Sequence, residues 1–191
     1  MLEKMEKTGY QVLTESTVEL DILIESKSNP QAFKPIYQKY YKKIFLFVLH
    51  RIGDKATTAD VTQQVFLKAL ASLGRFEFRG LPFSAWLYRI AINECNDFFR
   101  KVKRARLVTL EDADVDLLYE ELTHEITLEQ LHQKLPSILE RLTPDELYFL
   151  ELRFFENRPF KEVGEILGLT EVNAKIKTYR ILDKMKRFFL S

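Results

Sequence analysis

The segment FSAWLYRIAINECNDFFRKVKR, Phe83 to Arg104, opens on aromatic and apolar residues, keeps helical spacing throughout and ends basic. Trp86, Tyr88 and Arg89 fall within one turn, Asn93 lies two turns beyond Trp86, and Arg100, Lys101, Lys103 and Arg104 close the run. Aromatic rings beside guanidinium groups suit unstacked bases, because rings stack on bases while cations neutralise phosphates. The spacing makes the segment one long amphipathic helix, and its neighbours on both sides are helical too.

Upstream, the sequence predicts a short helix over 17–27 and a longer one over 31–51. In the longer one Phe33, Ile36, Tyr37, Tyr40, Ile44, Phe47 and Val48 recur at three and four. Thr57, with Asp60 three residues on, reads as a capping-box start for a helix that runs through Leu73 and stops at Gly74. A loop, Arg75 to Pro82, leads into the Phe83 helix. Downstream of Arg106 no Lys or Arg occurs until Lys134, while Glu111, Asp112, Asp114, Asp116, Glu120, Glu121, Glu125 and Glu129 accumulate. Composition marks this as a self-repelling, solvated linker whose last third merges into a helix. Beyond it, Leu131, Leu135, Ile138, Leu139 and Leu142 form a helical stripe, and Thr143-Pro144-Asp145-Glu146 starts a helix that reaches Phe155. Two more helices follow: Phe160 to Leu167, closed by Gly168, and a Thr170-capped one ending near Phe189. The expected fold is all-α: two small helical domains, 16–106 and 128–191, joined by an acidic linker at 107–127.

Length and composition agree. The 191 residues suffice for two domains, and 46% hydrophobic residues, 15 Phe and 8 Tyr among them, can bury real cores. The formal net charge is only +1, so any nucleic-acid affinity must come from local concentration of cations. The single cysteine, Cys95, excludes an intramolecular disulfide and fits a reducing cytoplasm. The N-terminus lacks the apolar core of a signal peptide, and the most apolar run, Ile44 to His50, is far too short to span a bilayer. A soluble cytoplasmic protein with no membrane insertion is expected.

The C-terminal pair of short helices around Gly168-Leu169-Thr170 reads as a helix-turn-helix. Val163, Ile166, Leu167, Leu169 and Ala174 supply its core, and Gly164 lets the helices approach. Its second helix offers Lys175, Lys177, Arg180, Lys184, Lys186 and Arg187 against a single Asp183. An ordinary helical hairpin with a solvated basic face explains the charges alone. The coincidence of turn, periodicity and charge asymmetry favours DNA binding, with Lys175 and Arg180 expected on one side. The helix around Asp60 to Lys68 has an apolar side (Val61, Val65, Ala69) and a polar one (Asp60, Gln63, Gln64, Lys68), which suits protein docking or plain solvation. His50, His124 and His132 are scattered, and no metal motif, phosphate-cradling glycine loop or nucleophile–base grouping occurs. No enzyme, cofactor or metal is expected.

Together these segments resemble a bacterial sigma factor of the extracytoplasmic-function (ECF) group, the two-domain type with regions 2 and 4, over Thr17 to Phe189. DVTQQVFLKAL is similar to helix 2.2, FRG with FSAWLYRIAIN to regions 2.3 and 2.4, and LTPDELYFLELRFFENRPFKEVGEILGLTEVNAKIKTYRILDKMKR to region 4. The resemblance implies a protein with no catalytic activity that directs core RNA polymerase to promoters. It implies docking of Asp60, Gln63, Gln64 and Phe66 on the polymerase β′ coiled coil, and of region 4 at the β flap. It assigns −10 melting and base capture to Phe78, Arg79, Gly80, Trp86, Tyr88, Arg89 and Asn93, with Arg100, Lys101, Lys103 and Arg104 alongside. It assigns −35 reading to Lys175, Ile176, Tyr179 and Arg180, with Lys177 nearby. For Trp86 and Tyr88, core packing is the competing role. Gln64 stands where Glu is common, Ile176 where a small polar residue is common, and Thr178 where an aliphatic one is usual. Many ECF factors are held inactive by an anti-sigma factor; this sequence identifies none. The acidic linker is implied to run through channels that later hold RNA, and its charges also complement the basic faces of the free protein. The main rival is a LuxR-type helix-turn-helix regulator that binds duplex promoter DNA without polymerase; a third class is a regulatory adaptor.

Overall fold

Ser26 and Leu23 turn inward from the first described helix, α1 (17–26), and the Ser26 hydroxyl returns to the Ile22 carbonyl. The computed structural model describes residues 17–78, 80–102, 116–122 and 127–190, leaving aside the side chains of Leu128 and Leu190. Among the described residues every regular element is helical. Asn29 caps a short 3-10 turn, Pro30–Phe33, by accepting from the Gln31 amide, and the chain tightens into α2, Lys34–Ile52. Gly53, at φ 76°, closes α2 in the left-handed region that glycine enters without a Cβ penalty. Helix α3, Lys55–Ser72, therefore restarts at once. Thr57 lies inside its first turn, so the expected capping box at Thr57 and Asp60 does not open this helix. A 3-10 turn, Leu73–Arg75, leads to the loop before α4, Phe83–Val102.

Two compact units emerge. The first comprises Met1–Val48 and Ala56–Cys95. Its core joins Ile36, Tyr40, Ile44 and Phe47 of α2, Val65, Phe66 and Ala69 of α3, and Phe83, Leu87, Tyr88 and Ala91 of α4. Ser84, Tyr88, Ala91 and Cys95 make one buried stripe along α4, while Arg89, Asn93 and Arg100 follow at four and seven on an exposed one.

The second unit comprises Leu49–Lys55 and Asn96–Ser191. It contains an element that composition hid: α5, Asp116–Leu122, within the acidic stretch, with Leu118 and Leu122 fully buried. Two apolar residues one turn apart pin it against 151–155. Helix α6, Leu128–Leu139, and helix α7, Pro144–Leu150, each start with a reciprocal capping box, Thr127 with Gln130 and Thr143 with Glu146. Glu146 also accepts from Lys184. Burial alone raises the Glu146 pKa, but the Lys184 and Thr143 hydrogen bonds bring it below the ordinary value. After α7 the chain widens into a π turn, Glu151–Phe155.

Here the unit buries an ion pair. Arg51, from the last turn of α2, meets Glu151, and both side chains are 2% exposed. The Arg51 guanidinium lies 3.7 Å over the Tyr148 ring, and the Tyr148 hydroxyl donates to Asn96 Oδ1 at 2.7 Å. Desolvation outweighs the attraction of Arg51 and pushes the Glu151 carboxyl up to about 7.

Helices α8 (Phe160–Leu167) and α9 (Glu171–Leu190) form the expected helix-turn-helix, with Gly168 left-handed at φ 70° and Thr170 accepting from the Asn173 amide. The turn is tight: the Leu169 amide donates to the Gly164 carbonyl at 2.7 Å. A Cβ on Gly164 would lie 2.9 Å from the Leu169 carbonyl oxygen and 3.1 Å from the Thr170 carbonyl carbon, both backbone atoms. Gly164→Ala is therefore expected to destabilise the second unit by about 1–3 kcal/mol, the usual cost of overpacking, although alanine is the better helix former. Urea unfolding measures it; a neutral or stabilising result would mean the turn opens without cost.

Candidate polymerase- and DNA-binding surfaces

Along α3 the polar residues Asp60, Gln63, Gln64 and Lys68 are exposed, while Val61, Thr62, Val65, Phe66 and Ala69 are buried. Phe66 therefore leaves the candidate docking set: its ring packs 4.8 Å from Tyr37 and 6.3 Å from Tyr41, supporting the helix from beneath. Leu67 takes its place in the stripe. It is 52% exposed, an apolar residue amid polar ones, and sorting the helix into an apolar and a polar side passed over it. Lys68 is tied to Glu94 of α4 at 2.5 Å.

The α4 assignments divide. Tyr88 is fully buried with its ring edge-on to Phe47 at 4.9 Å, so it packs the core and presents no face to a base. Trp86 is half-buried, 5.2 Å from Phe76 and 5.3 Å from Phe83, and combines packing with a partly open edge. Phe78 is 51% exposed, and Gly80, left-handed at φ 72°, turns the loop beyond it. Arg89 and Asn93 are exposed one turn apart. Further along α4, Arg100 pairs with Asp97 at 2.7 Å and Lys101 is exposed. Arg79, Lys103 and Arg104 lie outside the described residues.

On α9, Lys175, Ile176, Lys177, Tyr179 and Arg180 are all exposed, whereas Ala174, Thr178, Ile181, Leu182 and Met185 are buried. Lys175 and Arg180 do not share a side. Five residues of helix rotate the direction by about 140°, which places them on opposite edges of the outer face. Thr178 fits its buried position because its hydroxyl donates to the Ala174 carbonyl at 2.9 Å. That rotation puts Ile176 on the crest together with Val172, which is 65% exposed and which the sequence reading missed. Lys177 Nζ sits 5.9 Å from the Phe149 ring centroid. Tyr179 leans on Phe160 at 6.1 Å, and its hydroxyl donates to Glu121 of α5 at 3.3 Å. Burial first, and the Glu121 charge second, raise the Tyr179 pKa.

The Sigma-70 region 2 family matches residues 36–105, and the Sigma-70 region 4 family matches residues 138–187. The chain is 31% identical over 182 residues to the RNA polymerase sigma-H factor of Pseudomonas aeruginosa, covering 84% of this chain and 88% of that one. It is an ECF sigma-70 factor. The ECF RNA polymerase sigma factor BldN of Streptomyces coelicolor is likewise 31% identical, over 158 residues and 82% of this chain; the chain spans 60% of the length of BldN. A solved structure of CnrH in complex with the cytosolic domain of CnrY shares the fold, with a TM-score of 0.59, 19% identity and coverage of 87% and 94% of the two chains. The factor directs promoter-specific transcription initiation, as its two regions and its relatives indicate; the region 2 match across α2 to α4 disfavours the LuxR-type alternative. Sigma factors are DNA-binding regulators. Among the described residues no helix is long and apolar enough to cross a membrane.

Proposed function

We propose that the factor seats the α3 stripe of Asp60, Gln63, Gln64 and Leu67 on the β′ coiled coil of core RNA polymerase and brings region 4 to the β flap. Phe78, Arg89, Asn93 and the open edge of Trp86 then receive the −10 strand, an extruded base stacking on the aromatic wall and hydrogen-bonding to the amide. Helix α9 reads the −35 duplex. The factor carries no catalysis of its own, acts in the cytoplasm, and binds a protein partner, as CnrH does in its complex with the cytosolic domain of CnrY. One observation carries this function: a single chain pairs an exposed polar stripe on α3, broken by an unpacked leucine, with a cation-flanked outer face on α9.

Transcription in vitro with core polymerase over a promoter library tests it, and returns the recognised elements. In the same assay Gln63→Arg is expected to weaken polymerase binding while helicity and thermal melting stay near the parent values, because Gln63 is exposed. Unchanged polymerase affinity in a well-folded Gln63→Arg variant would remove α3 from the interface.

A further inference from the structure

Val172 and Ile176 are unusual on this helix. They are 65% and 45% exposed, one turn apart, at the crest of an outer face whose other exposed positions are polar or charged, Tyr179 aside. Apolar side chains in that setting gain nothing from water, and the α8–α9 core lies on the opposite side, through Ala174, Thr178 and Ile181. Both belong to the first two turns of α9, the part of a recognition helix that enters the major groove. Lys175 on one edge and Arg180 on the other flank them, an arrangement that lets cations hold phosphates on either side of a central apolar ridge.

Resting on the assignment of α9 to the −35 duplex, we propose that Val172 and Ile176 are specificity-determining residues that read thymine methyl groups in the major groove. Thymine alone among the four bases presents a methyl group there, and that methyl is matched by an apolar side chain. Four residues of helix rise about 6 Å, the span of roughly two base-pair steps at about 3.4 Å each, so the ridge reaches two neighbouring or next-neighbouring thymines. The same two side chains discriminate against G·C pairs. They neither donate nor accept, so a cytosine amino group or guanine carbonyl pressed against them loses water and finds no partner. A small polar residue in place of Ile176 would have no such preference.

The test uses the full chain assembled with core polymerase. Duplexes selected from a random library are expected to carry thymine at two positions one or two steps apart in the upstream element. In the selected duplex, deoxyuridine is then substituted for thymidine at those positions, removing only the methyl groups. Binding is expected to weaken about fourfold per methyl, the transfer value of one buried CH2. With Val172→Ser and Ile176→Ser, both at exposed positions, the thymidine and deoxyuridine duplexes are expected to bind alike. Equal binding of the two duplexes by the parent overturns the proposal. So does continued methyl sensitivity in the double variant, and so does loss of polymerase binding by that variant, which would make the ridge a protein contact. Failure of the assembled parent to select any upstream element would overturn the −35 assignment of α9 itself, a result distinct from selection without methyl sensitivity.

Discussion

Replacing Glu151 with leucine is expected to cost the second unit about 3–5 kcal/mol, because it removes the carboxyl oxygen that accepts from the buried Arg51 guanidinium. Arg51 has little recourse. It is 2% exposed and stacked on Tyr148, so it reaches water only if the unit opens. Glu151→Gln is expected to be far milder, since the amide keeps an acceptor for Arg51. The two variants also separate by pH. Glu151 titrates near 7 in the folded chain, burial being the main cause, against an ordinary value of 4.5. A raised carboxyl holds its proton in the folded state, so its stabilising contribution is complete below the unfolded value and is lost as pH rises through the folded one. Between about pH 5 and about pH 8, then, the parent should lose stability relative to Glu151→Gln. Urea unfolding of both proteins at the two pH values checks this; identical pH dependence would show that Glu151 is ionised throughout.

Tyr88→Ala is expected to remove about 3–5 kcal/mol from the first unit, the range for deleting a buried aromatic side chain. Its ring fills the space against Phe47, and nothing of it reaches solvent. Tyr88→Phe keeps the ring against Phe47 and should be far milder than Tyr88→Ala, because no cavity opens. Promoter opening at a temperature where Tyr88→Phe is folded should match the parent. A well-folded Tyr88→Phe with relaxed −10 preference would show instead that the hydroxyl swings out to the strand. The residue thus separates two roles that aromatic composition alone leaves mixed.

Helical class, the run of helices and the helix-turn-helix were legible because each has a local cause. Periodicity at three and four fixes a buried stripe, Thr143 with Glu146 fixes a start, and Gly168 fixes a stop, all through atoms a few residues apart. The exposure of Asp60, Gln63, Gln64, Arg89 and Asn93 follows from the same periodicity, since each sits opposite a stripe of larger apolar residues. The start of α3 was misplaced because Gly53 lets a new helix begin directly, whereas Thr57 only looks like a cap. Helix α5 was hidden because its acidic composition resembles a linker; only the four-residue spacing of Leu118 and Leu122 hints at a buried side.

What the sequence by itself determined is where helices lie, where they turn, and which of their faces carry charge. Only the tertiary structure decided which aromatic residues face inward. Phe66 and Tyr88 lie on stretches dense in aromatics, where several stripes are apolar enough to be buried and the neighbouring helices choose among them. The rotation of α9 was decided the same way: burial of Ala174, Thr178 and Ile181 sets Val172 and Ile176 on the crest and parts Lys175 from Arg180. The pairing of Arg51 with Glu151, 100 residues apart, had no signature at all. A buried ion pair is specified by where two helices bring their chains together, and no spacing along the sequence records that.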